Sequence, residues 1–308
     1  MKIQQLKYVR EIVRRGLSIS SAANALHASQ PGVSNQVQQL EEELGLQIFE
    51  RHGKRLTGIT PIGQSVIEMA ERVLQDVENI RQLVADSKTE QSGTLSIGTT
   101  HTQARYALPS AIKKFSERYP NIHLNMVQGT PTEVGEMAAT GKVDLAIATE
   151  GLAQFESLAI LPCYEWNRCV VVPPEHPLLS VKKLRLEDIA QYEILTYVMG
   201  FTGRAKQDQT FIEKGLHPNV IFTATDADVI KTYVELEMGI GIIASMAFDP
   251  DKDSPLQALD AKHLFPPSVT HMGIRKGCYL RSYMYAFIEF FASHLNRAAV
   301  DKAINHQG

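Results

Sequence analysis

The stretch that most restricts the fold of this chain runs from Ala22 to Arg51, AANALHASQPGVSNQVQQLEEELGLQIFER, where capping residues and apolar spacing place two short helices a few residues apart. Ser18 or Ser20 can cap the first, and Ala22, Ala23 and Leu26 leave it a small apolar face suited to close packing. Ser29 can cap the second. Pro31 sits in its first turn, where a missing N–H costs nothing, and Val33, Val37, Leu40 and Leu44 recur at helical spacing until Gly45 stops the helix. Gln30, Pro31, Ser34, Asn35 and Gln38 then lie on the outer side. Amides and hydroxyls near the start of a second helix suit base edges in a major groove, where Gln and Asn bond adenine in bidentate fashion.

Leu6, Val9 and Val13 on a preceding helix are expected to close a three-helix core, and Phe49 to Thr60 to form a wing carrying Arg51, Lys54 and Arg55. Residues 1–60 hold eight Lys or Arg against five Glu, whereas the whole chain has a net charge of −3. The basic charge is local to the helix pair, as contact with phosphates requires.

This pattern, Ala22-Ala23, Leu26, Ser29-Gln30-Pro31, Ser34, Gln36, Leu40-Glu41, Leu44-Gly45, Phe49 and Arg51, resembles the signature of LysR-type transcriptional regulators. Asn35 departs from it, standing where many members carry Lys or Arg. The resemblance implies an α/β protein with an N-terminal winged helix-turn-helix in residues 1–60. A dimerising linker helix and hinge would follow in 61–92, then a two-lobed periplasmic-binding-protein-like effector domain in 93–308. Lobe I would take about 93–162 and 267–308, and lobe II about 163–266.

The residues support that division independently. After Pro61, Ile62, Val66, Met69, Val73, Val77, Ile80 and Val84 follow one another at intervals of three or four, a stripe that needs a partner. From Pro61 to Ser87 it would be roughly 40 Å long at about 1.5 Å per residue, and Ser87 to Gly93 reads as a polar hinge. From Thr94 on, short apolar runs alternate with helical patterns, which predicts two lobes with largely parallel sheets. Strands are expected near 95–99, 123–127, 144–148, 194–197, 220–223, 240–244 and 270–275, and helices over 103–119, 132–140, 203–214, 226–237 and 281–295.

In open α/β sheets ligands bind beyond the carboxyl ends of strands, beside the N-termini of the following helices. Thr99 to Gln103, Thr149-Glu150 and Gly200 to Arg204 fall at such places and are rich in small donors, which suits a small anion held without a lysine. The segments THTQARYALP, AIATE, CYEWNR, GFTGR, FTATDADVIKTY and GIGIIASMA are similar to those of the LysR-type branch that governs cysteine biosynthesis. That resemblance assigns Thr100, Thr102, Gln103, Thr149, Trp166 and Thr202 to an interlobe pocket for an oxyanion. It further implies acetylserine as inducer, with sulfate, thiosulfate or sulfide as further ligands. Its expected partners are double-stranded DNA, bound by a homotetramer built as a dimer of dimers, and RNA polymerase. A related regulator of sulfonate or sulfate-ester use is the nearest alternative.

Other classes fit less well. The run Gly239-Ile240-Gly241-Ile242-Ile243-Ala244 has dinucleotide-like glycines, but they lie within an apolar strand after a helix. Ten histidines show no grouping of the H-E-x-x-H kind, so neither a catalytic centre nor a metal or cofactor is expected. A solute-binding protein would explain the cleft but would have a signal peptide, and the N-terminus is instead a charged amphipathic helix. No segment is apolar enough to span a membrane, and Cys163, Cys169 and Cys278 read as buried thiols, so a cytoplasmic setting is expected.

Overall fold

The computed structural model describes residues 1–53, 55–88 and 92–305. The chain divides into two compact units, Met1–Lys88 with Gly277–Tyr279 and Thr89–Lys276 with Leu280–Gly308.

The first unit holds α1 (Ile3–Arg14), α2 (Ile19–Ala25), α3 (Gln30–Leu44), the strands β1 (Phe49–His52) and β2 (Arg55–Ile59), and α4 (Pro61–Lys88). Ser18 Oγ accepts from Ser21 N–H and Ser29 Oγ from Gly32 N–H, so both expected caps form. Gly45 ends α3 in the left-handed region at φ 67°. Leu6, Val9 and Ile12 of α1 are buried against Ala22, Ala23, Val33, Val37 and Leu40. Ile12 therefore takes the core position expected of Val13, which is only partly buried. Leu44 is exposed because the helix ends there, and Ile48 and Phe49 fill the core beyond it.

The wing forms as expected, β1 pairing antiparallel with β2 from Phe49 opposite Ile59. The linker helix divides its apolar residues between two faces. Ile67, Ala70 and Leu74 are sealed into the core of the reading head, while Ile62, Met69, Val73, Ile80 and Leu83 are exposed. A Cβ on Gly63 would come 2.1 Å from the Ile48 carbonyl oxygen. Only glycine lets the first turn of α4 lie against the entry to the wing. The expected hinge begins later than its first residues suggest, since Ser87 and Lys88 are still helical, and residues 89–91 lie outside the described residues.

The second unit carries two five-stranded sheets. Its elements are β3 (Gly93–Thr99), α5 (Leu108–Arg118), β4 (Ile122–Gln128), α6 (Pro131–Thr140), β5 (Leu145–Ala148), β6 (Leu158–Trp166), β7 (Arg168–Val172) and α7 (Leu186–Ile189). They continue with β8 (Glu193–Tyr197), α8 (Arg204–Glu213), β9 (Asn219–Ala224), α9 (Ala227–Glu235), β10 (Ile240–Ala244), β11 (Gln257–Asp260), β12 (Ser268–Arg275), α10 (Ser282–Phe291) and α11 (Arg297–Asn305). The first sheet has the order β4-β3-β5-β12-β6 and the second β11-β7-β10-β8-β9.

The sheets are mixed rather than largely parallel. In the first, β12 runs against both its neighbours, and in the second β7 does so. These two reversed strands carry the chain between lobes. Because β6 continues in the first sheet as far as Trp166, the crossover sits at Asn167, a few residues beyond the expected boundary at 163.

The strands β6, β7 and β11 have no counterpart among the expected ones. Pro162 and the charged Glu165 interrupt the apolar run of β6, and a register shift between Thr270 and His271 of β12 accommodates the region around Pro162. The single helix expected over 281–295 ends at Phe291, where Ala292 turns to φ −140°, and α11 follows separately. Strand β10 is buried along its whole length between Ile230 and Val234 on one face and Phe211 on the other. That is why it reads as continuously apolar. Among the described residues no helix is long and apolar enough to cross a membrane.

Candidate functional site

On the reading head, Gln30, Pro31, Asn35 and Gln38 are exposed on α3 and Ser34 is half-buried, so the five expected residues share one accessible face. Gln38 Nε2 donates to Glu42 Oε1 at 2.9 Å, a bond along the helix that contact with a base would have to exchange. Arg55 is exposed on the wing, and Lys54 lies outside the described residues. Arg51 is held differently. Its Nη2 donates at 2.8 Å to Glu41 Oε2, and Glu41 Oε1 accepts the backbone N–H groups of Ile48 at 2.8 Å and Phe49 at 3.1 Å. This buried carboxylate joins α3 to the wing and fixes the direction of Arg51 while leaving it partly accessible.

In the second unit the expected effector residues gather where strands end and helices begin. Thr100 and Thr102 follow β3, Thr149 follows β5, Trp166 ends β6, and Thr202 precedes α8. Thr100, Thr102, Gln103, Trp166 and Thr202 are all buried, and Thr149 is half-buried. Gln103 opens a π-helical turn, Gln103–Ala107, that leads into α5, in place of the first α-turn expected there.

The structure separates these residues by role. Gln103 Nε2 donates to Thr270 Oγ1 at 3.1 Å, its Oε1 accepts from the Tyr164 hydroxyl, and Trp166 Nε1 donates to the same Thr270 Oγ1 at 3.2 Å. Gln103 and Trp166 are thus tied into one network through Thr270, a residue that the sequence did not single out. The indole packs in the core beside Tyr197 and also stands behind Arg168, whose guanidinium lies 5.3 Å from its ring. His101 Nδ1 is buried without a hydrogen-bond partner among the described residues, and the buried Thr102 hydroxyl interacts with that of Tyr197.

Beside these residues the fold also buries an arginine. Arg168, 1% exposed at the start of β7, points its Nη2 at the carbonyl oxygens of Gly203 at 2.6 Å and Thr202 at 3.2 Å, while Nε and Nη1 have no hydrogen-bond partner among the described residues. Burial pulls its pKa down to about 10. Sequence reasoning missed it because an Arg before an apolar run reads as a surface residue at a strand entry. The backbone beneath it is unusual: Thr202 and Gly203 are both left-handed, at φ 48° and 68°. A Cβ on Gly203 would come 2.3 Å from Arg168 Nη2, so the guanidinium requires glycine there.

Glu150 completes the cluster from the other lobe. The N–H of Gly203, at the N-terminus of α8, donates to both its carboxylate oxygens, at 3.0 and 3.2 Å. Burial pushes this carboxyl above its ordinary range, against the opposing pull of the Gly203 N–H, Arg168 and Lys206. At another edge of the cleft the lobes meet through Arg105 and Asp228, and the Tyr106 hydroxyl donates to Asp228 Oδ1 at 2.7 Å. Lys231 anchors that edge by donating to Asp253 Oδ1 at 2.7 Å and to the Ala247 carbonyl at 2.9 Å.

The three cysteines are not alike. Cys163 and Cys169 are buried, with burial pushing each thiol up to about 12, whereas Cys278 is half-buried rather than buried as expected.

Comparison with known proteins places these features in a family. Residues 3–64 match the bacterial regulatory helix-turn-helix proteins of the lysR family, and residues 88–296 match the LysR substrate binding domain. The chain is 50% identical to the transcriptional regulator SsuR of Burkholderia cenocepacia over 300 residues, 97% of each chain. It is also 50% identical to the transcriptional regulator CysB of Haemophilus influenzae over 303 residues, 98% of this chain and 94% of that one. The crystal structure of the cofactor-binding domain of the Cbl transcriptional regulator has a TM-score of 0.67 at 38% identity, covering 70% of this chain and 95% of that one. The chain belongs to the LysR family of transcriptional regulators, in the group of CysB, SsuR and Cbl that governs sulfur assimilation, and it is a DNA-binding regulator rather than an enzyme.

Proposed function

We propose that this regulator acts in the cytoplasm as a homotetramer, a dimer of dimers, that reads double-stranded DNA and answers to a small anionic effector at the lobe interface. Sulfate or thiosulfate is the ligand class that the interlobe donors suit, with acetylserine as inducer, and RNA polymerase is the partner through which occupancy would reach transcription. The observation that carries the effector reading is Arg168, buried beside the N-terminus of α8 with Nε and Nη1 lacking a hydrogen-bond partner among the described residues. A second reading, a regulator of sulfonate or sulfate-ester use, draws support from the equal identity to SsuR and CysB.

Thr100→Val keeps the shape of the side chain and deletes the hydroxyl. It should weaken effector binding by roughly 1 to 3 kcal/mol while sparing DNA binding without effector. Calorimetry or Trp166 fluorescence with sulfate, thiosulfate and acetylserine measures this, and equal binding by parent and variant places the site elsewhere.

On the reading head, Gln30 and Ser34 are assigned to base discrimination, with Pro31, Asn35 and Gln38 beside them, and Arg51, Lys54 and Arg55 to backbone affinity. Gln30→Ala should narrow the gap between operator and random DNA by about 1 to 3 kcal/mol. Arg55→Ala should weaken both and flatten the salt dependence by about one unit. Undiminished discrimination by the Gln30 variant would remove it from the readout.

A further inference from the structure

The anion site of this chain already holds an anion of its own. Glu150 comes from the end of β5 in one lobe, and its two oxygens share the Gly203 N–H at the start of α8 in the other. A helix N-terminus offers its free amides and its partial positive charge to whatever negative group lies there. Arg168, buried beside the same turn with two nitrogens unpartnered among the described residues, donates only to the neutral oxygens of Thr202, Gly203 and Ser268 and acts on Glu150 through its charge. Both attractions therefore act on Glu150 in the absence of ligand.

We propose that Glu150 is a tethered competitor of the effector, occupying the helix-terminal amide that an oxyanion needs and holding the two lobes together until a ligand displaces it. This rests on the anion site proposed above. Two negative groups cannot share that amide and that guanidinium at close range without strong repulsion in a water-poor cleft. Entry of an oxyanion therefore requires the Glu150 carboxylate either to swing away or to take up a proton. Burial already favours the neutral acid. A bound anion favours it further, so the carboxyl has a higher pKa in the liganded site than in the empty one. The sign follows: ligand binding takes up a proton, affinity is greatest at pH values where the free-site carboxyl is already neutral, and it is lost as pH rises through the liganded pKa. The charged groups acting on Glu150 are Arg168 on β7 and Lys206 on α8, and His101 is the titratable residue of the loop after β3. Glu150→Gln retains all three.

The test is a titration of the full-length parent, Glu150→Gln, Glu150→Ala and Thr100→Val with inorganic sulfate, by calorimetry between pH 5.5 and 8.5. Both Glu150 variants should bind sulfate at least about tenfold more tightly than the parent at high pH. Parent affinity should fall with rising pH by up to about tenfold per unit, and that of the Glu150 variants should fall much less. If Glu150→Gln and Glu150→Ala bind sulfate no more tightly than the parent, or keep its pH dependence, the competitor role is overturned while the anion site stands. If sulfate binds the parent and Thr100→Val equally, the site lies elsewhere. If it binds none of the four, both the site and the competitor fall. Either Glu150 variant suffices for the comparison should the other not fold.

Discussion

Glu41→Ala should destabilise the reading head by about 3 kcal/mol and abolish operator binding at temperatures where the parent is fully active. The carboxylate is buried and accepts three hydrogen bonds, from the Ile48 and Phe49 backbone and from the Arg51 guanidinium. Removing it leaves two buried N–H groups unsatisfied and a cation without its counter-charge. Arg51 is partly accessible, so water recovers some of its share, and the loss falls at the lower end of what breaking a fully buried pair costs. Glu41→Gln keeps an acceptor for the backbone groups and should lose clearly less. Chemical denaturation of the full chain, followed by the helical signal, gives the comparison. A stability within about 0.5 kcal/mol of the parent for Glu41→Ala would show that the wing is held by its apolar residues alone.

Val73→Glu should weaken self-association about a hundredfold, or about 3 kcal/mol, and weaken operator binding with it through loss of paired half-sites. Val73 is exposed on α4 in the single chain, on the same side as Ile62, Met69 and Ile80. The intervals among these residues are those of a coiled seam between helices. Residues sealed into the head, Ile67, Ala70 and Leu74, occupy the other side, so a charge at 73 spares the core. Sedimentation velocity reads the outcome, and an unchanged assembly would assign the stripe to a different contact.

The sequence was most legible where a pattern is local. Caps at Ser18 and Ser29, the stop at Gly45 and the wing from Phe49 depend on neighbours a few residues away, and each forms as its chemistry dictates. The interlobe cluster was legible only in part. Its threonines stand at strand ends that periodicity locates, but Arg168, Glu150 and Thr270 owe their importance to partners far along the chain. Arg168 meets Ser268 at 3.4 Å, Glu150 meets Gly203, and Thr270 joins Gln103 to Trp166. No spacing rule couples positions fifty or more residues apart. Strand β6 escaped for a related reason: its proline and charges suit a strand only because a shift in register on β12 receives them. The distinction between the two faces of α4 was hidden likewise, since apolar residues every three or four positions look the same whether they meet the chain's own core or another chain.

The way α4 is built into the head bears on how operators can be spaced. Gly63 lets its first turn rest on the entry to the wing, and Ile67, Ala70 and Leu74 lock the next two turns into the core, so head and helix are one stiff rod with no joint between them. In an assembly of two such chains, the positions of the recognition helices are geared to the angle at which the rods cross. A small rotation at the crossing is magnified along the rod into a displacement at the groove, and no slack in a tether absorbs it. Tolerance for altered half-site spacing is then a property of the crossing, and substitutions that change the size of Met69 or Val73 should retune which spacings are accepted without touching a base-reading residue.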